Sequence, residues 1–213
     1  MNFEHILTIK KEFGILHILD DHDEPLSFLS WSPDDAYLLT ASNDHSLKLW
    51  NSKTGKCENS YERHTEPVTS CAWLPSGDRF VSGSLEKCIY LWNVDGDVLH
   101  KWSSIRIMDL AITVDGKTMI ACTEKKVRLY NLEDKSEVAQ LQETDSITSV
   151  HVSGDGRHLL VNIATQEIHL WDIQEKTIVR KYIGQKQGRF VIRSCFGGVK
   201  DNFVLSGSEG IKK

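Results

Sequence analysis

No stretch of the 213-residue sequence approaches the roughly 18 consecutive apolar residues of a membrane-spanning helix, so a bilayer span is not expected. The opening residues include Glu4 and Glu12 and lack a small-residue cleavage site, which argues against a secretory leader. A cytoplasmic setting, with the nucleus also open to the chain, is the expectation. No block of five like charges occurs, and the net charge of −5 comes from interspersed signs. That removes the footprint of a nucleic-acid arm or of a polybasic membrane patch. The five cysteines (Cys57, Cys71, Cys88, Cys122, Cys195) form no Cys-x-x-Cys pair. A thioredoxin-like redox pair and a zinc ribbon are therefore not indicated, and the cysteines read as reduced packing residues in apolar runs.

Catalytic signatures are missing as well. There is no His-Glu-x-x-His, no Gly-x-Ser-x-Gly, no phosphate-binding loop and no Gly-x-Gly-x-x-Gly. Ser84 to Lys87 matches Ser-x-x-Lys without its companion motifs. The nine histidines are scattered. The densest polar cluster, His17, Asp20, Asp21, His22, Asp23 and Glu24, reads as a solvated loop rather than a cation site, and Lys10-Lys11 and Lys125-Lys126 read as solvated turn charges. The expectation is a non-enzyme with no cofactor, no metal and no small-molecule substrate, whose partners are proteins.

What is present is repetition. Segments starting at Leu26, Val68, Ile107 and Ile147 superpose, anchored by Trp50, Trp92, Tyr130 and Trp171 at separations of 42, 38 and 41 residues. These match the period of about 40–45 residues of a four-stranded propeller blade. Turn segments rich in Pro, Gly and Asp follow each first strand: 32–35, 75–78, 114–117 and 154–157. Short apolar runs such as Tyr37–Ala41 and His158–Asn162 predict strands sandwiched between neighbours. Leu47–Trp50 and Val127–Tyr130 alternate with period 2, as half-buried third strands do. Looser outer strands are expected at 57–61, 98–102, 138–141 and 178–182. Phe13–Leu19 reads as the outer strand of a preceding blade.

The order of these elements resembles the WD40 family. The fold expected is an all-β WD40 β-propeller that is incomplete: blade units at about 22–62, 64–102, 105–142 and 145–183, and a partial unit at 189–213 with the first two strands of a fifth. The chain stops before a third strand with its Trp, so a closed ring is not expected. The resemblance implies a hydrogen-bonded chain inside each blade: His22, Thr40, Asp44 and Trp50 in the first, and His64, Ser82, Glu86 and Trp92 in the second, where Glu replaces the usual Asp and is expected to weaken the network. Ile120 and Glu124, then Val161 and Thr165, hold those places in the third and fourth blades, which are expected to rest on apolar packing alone. The loops entering each first strand and joining the second to the third would present Glu24, Asn43, His45, Glu66, Glu86, Lys87, Glu124, Lys125, Thr165 and Gln166, a mixed-charge face suited to protein segments.

One stretch is more specific. Leu170-Trp171-Asp172-Ile173-Gln174 leads through Val179–Gly184 and Gln187-Gly188 to Ile192-Arg193-Ser194-Cys195-Phe196-Gly197-Gly198. With Ser30–Asp35, Val68–Ser70, Ala72-Trp73 and Asn162–Gln166, it resembles the WD-repeat subunits of the GID/CTLH ubiquitin ligases. That resemblance implies a non-catalytic adaptor or substrate-recruiting subunit in ubiquitin-dependent proteasomal degradation, with ligase subunits and recruited substrates as partners. Family members also carry helical LisH and CTLH segments before the propeller and further repeats after it, both absent here, so a truncated form is expected. The repeats alone equally permit a generic WD40 scaffold in signalling or trafficking.

Overall fold

Local turn chemistry sets the first hairpin of every repeat. Ser32 Oγ donates to Asp34 Oδ1 (2.6 Å), Thr113 Oγ1 to Asp115 Oδ1 (2.6 Å) and Ser153 Oγ to Asp155 Oδ1 (2.5 Å). The residue that follows in each turn takes positive φ: Asp35, Gly116 and Gly156, with Gly77 in the second repeat. An Asx-type turn closed by such a residue reverses the chain tightly enough for antiparallel pairing.

The computed structural model of the chain describes residues 14–103, 106–188 and 190–210. The first blade holds β1 (Leu26–Trp31), β2 (Tyr37–Ser42), β3 (Leu47–Asn51) and β4 (Cys57–Tyr61). The second holds β5 (Val68–Trp73), β6 (Arg79–Ser84), β7 (Cys88–Asn93) and β8 (Val98–Ser103). The third is β9 (Asp109–Ile112), β10 (Thr118–Cys122), β11 (Lys126–Asn131) and β12 (Glu137–Gln142), and the fourth is β13 (Ile147–Val152), β14 (His158–Ile163), β15 (Glu167–Asp172) and β16 (Thr177–Ile183). β17 (Ser194–Gly197) and β18 (Phe203–Ser206) form a two-stranded hairpin around a 3-10 turn at Val199–Asp201. Each four-stranded sheet is an antiparallel meander with its strands in sequence order.

All four blades share one irregularity. The pairing of third and fourth strands shifts register between Leu49 and Trp50, Leu91 and Trp92, Leu129 and Tyr130, and Leu170 and Trp171. A bulge bends its strand and re-aims the side chain next to it. Here that side chain is the buried aromatic anchor of each repeat.

The core lies between sheets. One apolar layer joins the first two blades (Leu39, Leu49, Cys71, Phe80, Trp92), a second joins the next pair (Val81, Ile89, Leu110, Met119, Tyr130), and a third the last (Ile120, Val127, Val150, Val161, Trp171). Burying a Leu, Ile or Phe contributes roughly 1.5–3 kcal/mol, so these layers stack the blades. The inner strands succeed one another, β1 on β5, β5 on β9, β9 on β13 and β13 on β17. In the second, third and fourth blades the outer strands β8, β12 and β16 are the most exposed of their sheets.

The sheets form an open arc. Leu26, Leu29 and Trp31 are each 51% exposed at one end, and Phe203 and Leu205 are exposed at the other. The expected leading strand is not formed: residues 14–19 carry no strand pairing, Phe13 lies outside the described residues, and Ile15, Leu16 and Ile18 are exposed. Apolar character makes a strand only where a partner edge offers hydrogen bonds. This segment instead runs over the turn between β3 and β4, where His17 Nε2 bonds the Lys53 carbonyl (2.9 Å).

Candidate protein-interaction face

In the first blade a buried indole starts a relay. Trp50 Nε1 donates to Thr40 Oγ1 (2.9 Å), that hydroxyl meets His22 Nε2 (2.7 Å), and His22 Nδ1 meets Asp44 Oδ2 (2.7 Å). Asp44 also receives Ser46 N (2.9 Å) and Ser46 Oγ (2.7 Å) on Oδ1, and Asp23 N (3.2 Å) on Oδ2. Burial pushes the Asp44 carboxyl up, but the hydrogen bonds from Ser46 and His22 outweigh it and hold the carboxyl down to about 2. The relay ties the entry loop, the second strand, the turn after it and the third strand into one unit.

The second blade repeats the plan with other residues. Trp92 Nε1 donates to Ser82 Oγ (2.8 Å), which meets His64 Nε2 (2.7 Å), and His64 Nδ1 bonds Glu86 Oε1. Glu86, expected to weaken the network, keeps its contacts. Its extra methylene still reaches His64, and its carboxylate also receives Thr65 Oγ1 (2.6 Å) and Cys88 Sγ (2.8 Å). Burial raises the Glu86 carboxyl, and bonds from Cys88, Thr65 and His64 overcome it, leaving it at about 2.

In the third blade Ile120 is fully buried among apolar neighbours and Glu124 is exposed. The fourth blade departs from the expectation of apolar packing alone. Trp171 Nε1 donates to Glu143 Oε1 (2.5 Å), Glu143 Oε2 meets His169 Nδ1 (2.7 Å), and His169 Nε2 meets Glu167 Oε2 (2.9 Å). The Glu143 and His169 side chains are both fully buried. Val161 on the second strand offers no acceptor, so the indole turns to the entry loop. Glu143 stands four residues before Ile147, as His22 and His64 stand four before Leu26 and Val68. That offset was the sequence signal for its role.

A second polar centre, also missed in sequence, sits at the inner strands. Asp109, fully buried, accepts Ser70 Oγ (2.8 Å) and Leu110 N (3.0 Å) on Oδ1, and Val150 N (3.0 Å) and Arg193 Nη1 (2.6 Å) on Oδ2. The Arg193 guanidinium also lies 4.2 Å from the Phe28 ring centre, the reach of a cation–π contact. Arg193, from the segment that resembles the ligase subunits, therefore links the last hairpin to the first and third blades. An acidic residue within the apolar run Ile107–Ile112 was the signal for Asp109.

Glu24, Asn43, His45, Glu66, Lys87, Glu124, Lys125, Thr165 and Gln166 are all exposed, and Glu86 is half-buried. In the first, second and fourth blades a backbone bond lashes the turn after the second strand to the blade's own entry loop, Asn43 N to Pro25 O (3.0 Å), Leu85 N to Pro67 O (3.1 Å) and Ala164 N to Ser146 O (2.8 Å), whereas in the third blade Glu124 O accepts from Ile147 N of the next blade (2.6 Å). Strand starts adjoin between blades, since Ser27 Oγ donates to Val68 O and Thr69 Oγ1 to Ile107 O (2.9 Å). These loops accordingly share one end of the arc, while the first-hairpin turns meet at the other, where Gly154 N bonds Asp201 Oδ2 (2.6 Å). His45, Lys87 and Gln166 occupy the same turn position at φ 72°, 71° and 68°. The result is a stiff surface of mixed charge. The five cysteines form no disulfide, and Cys71, Cys88 and Cys122 are buried.

Comparison with known proteins agrees with this architecture. The family described as "WD domain, G-beta repeat" matches residues 13–51 and 55–93, the first two blades. A WD repeat-containing protein of Dictyostelium discoideum is 46% identical over 235 residues, covering 92% of this chain and 40% of that protein. The "WD repeat-containing protein WDS homolog" of Arabidopsis thaliana is 44% identical over 202 residues, covering 91% of this chain and 38% of its own length. "GID complex subunit 7" of Schizosaccharomyces pombe is 37% identical over 127 residues, covering 56% of this chain and 25% of that protein. The chain thus spans about two fifths of the first two relatives, 40% and 38%. Repeat period, blade geometry, indole relays and these similarities together place the chain among the WD40-repeat proteins.

Proposed function

We propose that this WD40 scaffold serves as a non-catalytic adaptor or substrate-recruiting subunit of a GID/CTLH-type E3 ubiquitin ligase, working in the cytoplasm and the nucleus. The observation that carries the reading is the 37% identity to a protein named as a subunit of the GID complex. Two features of the molecule support it. The loops of one end are exposed and stiffened by backbone bonds to their own or the next blade, a form suited to holding protein segments. Arg193 builds the ligase-like segment into the inner network instead of leaving it as a loose tail.

The test is affinity purification of the tagged chain from cells, with quantitative mass spectrometry of what comes with it. RING-bearing ligase subunits should be enriched, and charge reversal at Glu66 and Lys87 together should reduce the recovery of face-bound partners several-fold without moving the melting temperature. Enrichment of signalling or trafficking proteins with no ligase subunit would overturn the assignment in favour of a scaffold in another pathway.

A further inference from the structure

The first two blades share a relay but differ at two neighbouring positions. Where the first has Asp44 and Ser46, the second has Glu86 and Cys88, and in each blade the second residue of the pair bonds the carboxylate of the first: Ser46 Oγ to Asp44 Oδ1 (2.7 Å), Cys88 Sγ to Glu86 Oε1 (2.8 Å). The exchange replaces a hydroxyl by a thiol. It leaves an imidazole nitrogen, a carboxylate oxygen and a sulfur within 4.8 Å of one another at His64, Glu86 and Cys88. Nitrogen, oxygen and sulfur donors of these kinds are the ligand set of zinc, bound at about 2.0–2.3 Å. Cys88 Sγ and His64 Nδ1 stand 3.8 Å apart, close to the separation of two ligands around a tetrahedral ion.

We propose that His64 Nδ1, Glu86 and Cys88 Sγ bind a thiophilic divalent cation of the zinc type. His64 is held from behind: Nε2 bonds Ser82 Oγ at 2.7 Å, the outer contact that orients a ligating imidazole. Burial lowers His64 and favours the neutral ring, against the opposing pull of Glu86. Without an ion, Glu86 Oε1 fills the gap between nitrogen and sulfur. The longer glutamate arm lets it draw back into the coordination sphere. The proton on Nδ1 passes to Nε2 by tautomer exchange, and the Cys88 thiol releases its own to solvent, one proton per ion bound. Burial and the adjoining Glu86 keep that thiol protonated, up to about 12, until a cation's charge reverses the balance. A bound ion would add a further tie between the entry loop carrying Glu66 and the turn carrying Lys87, beside the bond from Leu85 N to Pro67 O.

The first blade supplies the control, because Ser46 shows that a hydroxyl fits the same place. The experiment titrates the reduced, chelator-free chain with Cd2+ and follows the thiolate-to-cadmium charge-transfer band. The band should saturate at one ion per chain, persist in Cys57→Ser and Cys195→Ser, and vanish in Cys88→Ser. Zn2+, followed by its heat of binding, should bind Cys88→Ser at least about 100-fold more weakly than the parent, while the metal-free melting temperature stays near the parent's. A missing band, or one that survives Cys88→Ser, overturns the proposal. X-ray absorption of the zinc-loaded parent needs no variant: one sulfur with imidazole in the shell supports the site, and a shell of oxygen and nitrogen alone refutes it.

Discussion

The first and fourth blades bury the same indole N–H beside the same bulge and satisfy it with different chemistry. In the first, Trp50 meets a hydroxyl on the second strand, and the histidine of the entry loop passes the relay to an aspartate. In the fourth the hydroxyl is gone, the entry-loop position carries Glu143, and the histidine has moved to the third strand as His169. The lesson is that this blade requires a buried acceptor facing the indole and a bridge from the entry loop to the third strand. It does not require one set of residues. An unpaired buried donor costs about 1–3 kcal/mol, enough to keep the geometry while the residues change. The family model matches the two blades with the His–Ser/Thr–Trp relay and not the fourth, as residue identity rather than geometry would dictate.

The comparison is broken most forcefully at Glu143. Glu143→Leu leaves the Trp171 N–H and His169 buried without their acceptor, and should cost about 3–5 kcal/mol in urea unfolding, whereas Glu143→Gln should lose less because its amide oxygen can still accept from the indole. Equal losses would mean that the carboxylate's charge, rather than the acceptor, holds the blade.

The first blade, like the second, carries a carboxylate held well below its ordinary range. Asp44 sits at about 2 against its ordinary 3.8, so its contribution is complete above pH 3.8 and is lost as pH falls through about 2. The shift corresponds to about 2 kcal/mol. Asp44→Asn should therefore flatten the fall in stability between about pH 4 and pH 2, measured by denaturant midpoints across that window. An unchanged slope would show that the first relay is not held by its carboxylate charge.

The smallest effect lies on the exposed face, where the two blades are alike. His45 and Gln166 hold φ of 72° and 68°, and replacing either by glycine should stabilise the chain by up to about 1 kcal/mol. Matching rises in melting temperature would show that blades with unlike interiors present the same turn. A gain at only one of them would separate the faces as well as the cores.

Much of the architecture was legible in the residues. Strand positions followed from alternation and from Pro-Gly-Asp turns, and the hydrogen-bonded residues of the first two blades followed from the family resemblance. Other features were not, the Glu143 network of the fourth blade among them. The leading apolar segment at 14–19 makes no strand, because hydrophobicity does not specify a pairing edge. Glu86 reaches His64 despite being the wrong carboxylate, since side-chain length can be absorbed by a turn. The Asp109–Arg193 pair joins residues 84 apart in sequence, and no local pattern reports a contact across the inner strands.

By itself, the sequence determined the repeat, the order of strands and turns, and the apolar faces that must be covered, because period and turn chemistry act over a few residues. Only the tertiary structure decided how each buried polar group found its partner: Glu143 with Trp171, Asp109 with Arg193, and His64 with Glu86 and Cys88. Those choices depend on which atoms are brought together when sheets stack and loops fold back, and on the free-energy cost of leaving any one of them unpaired away from water.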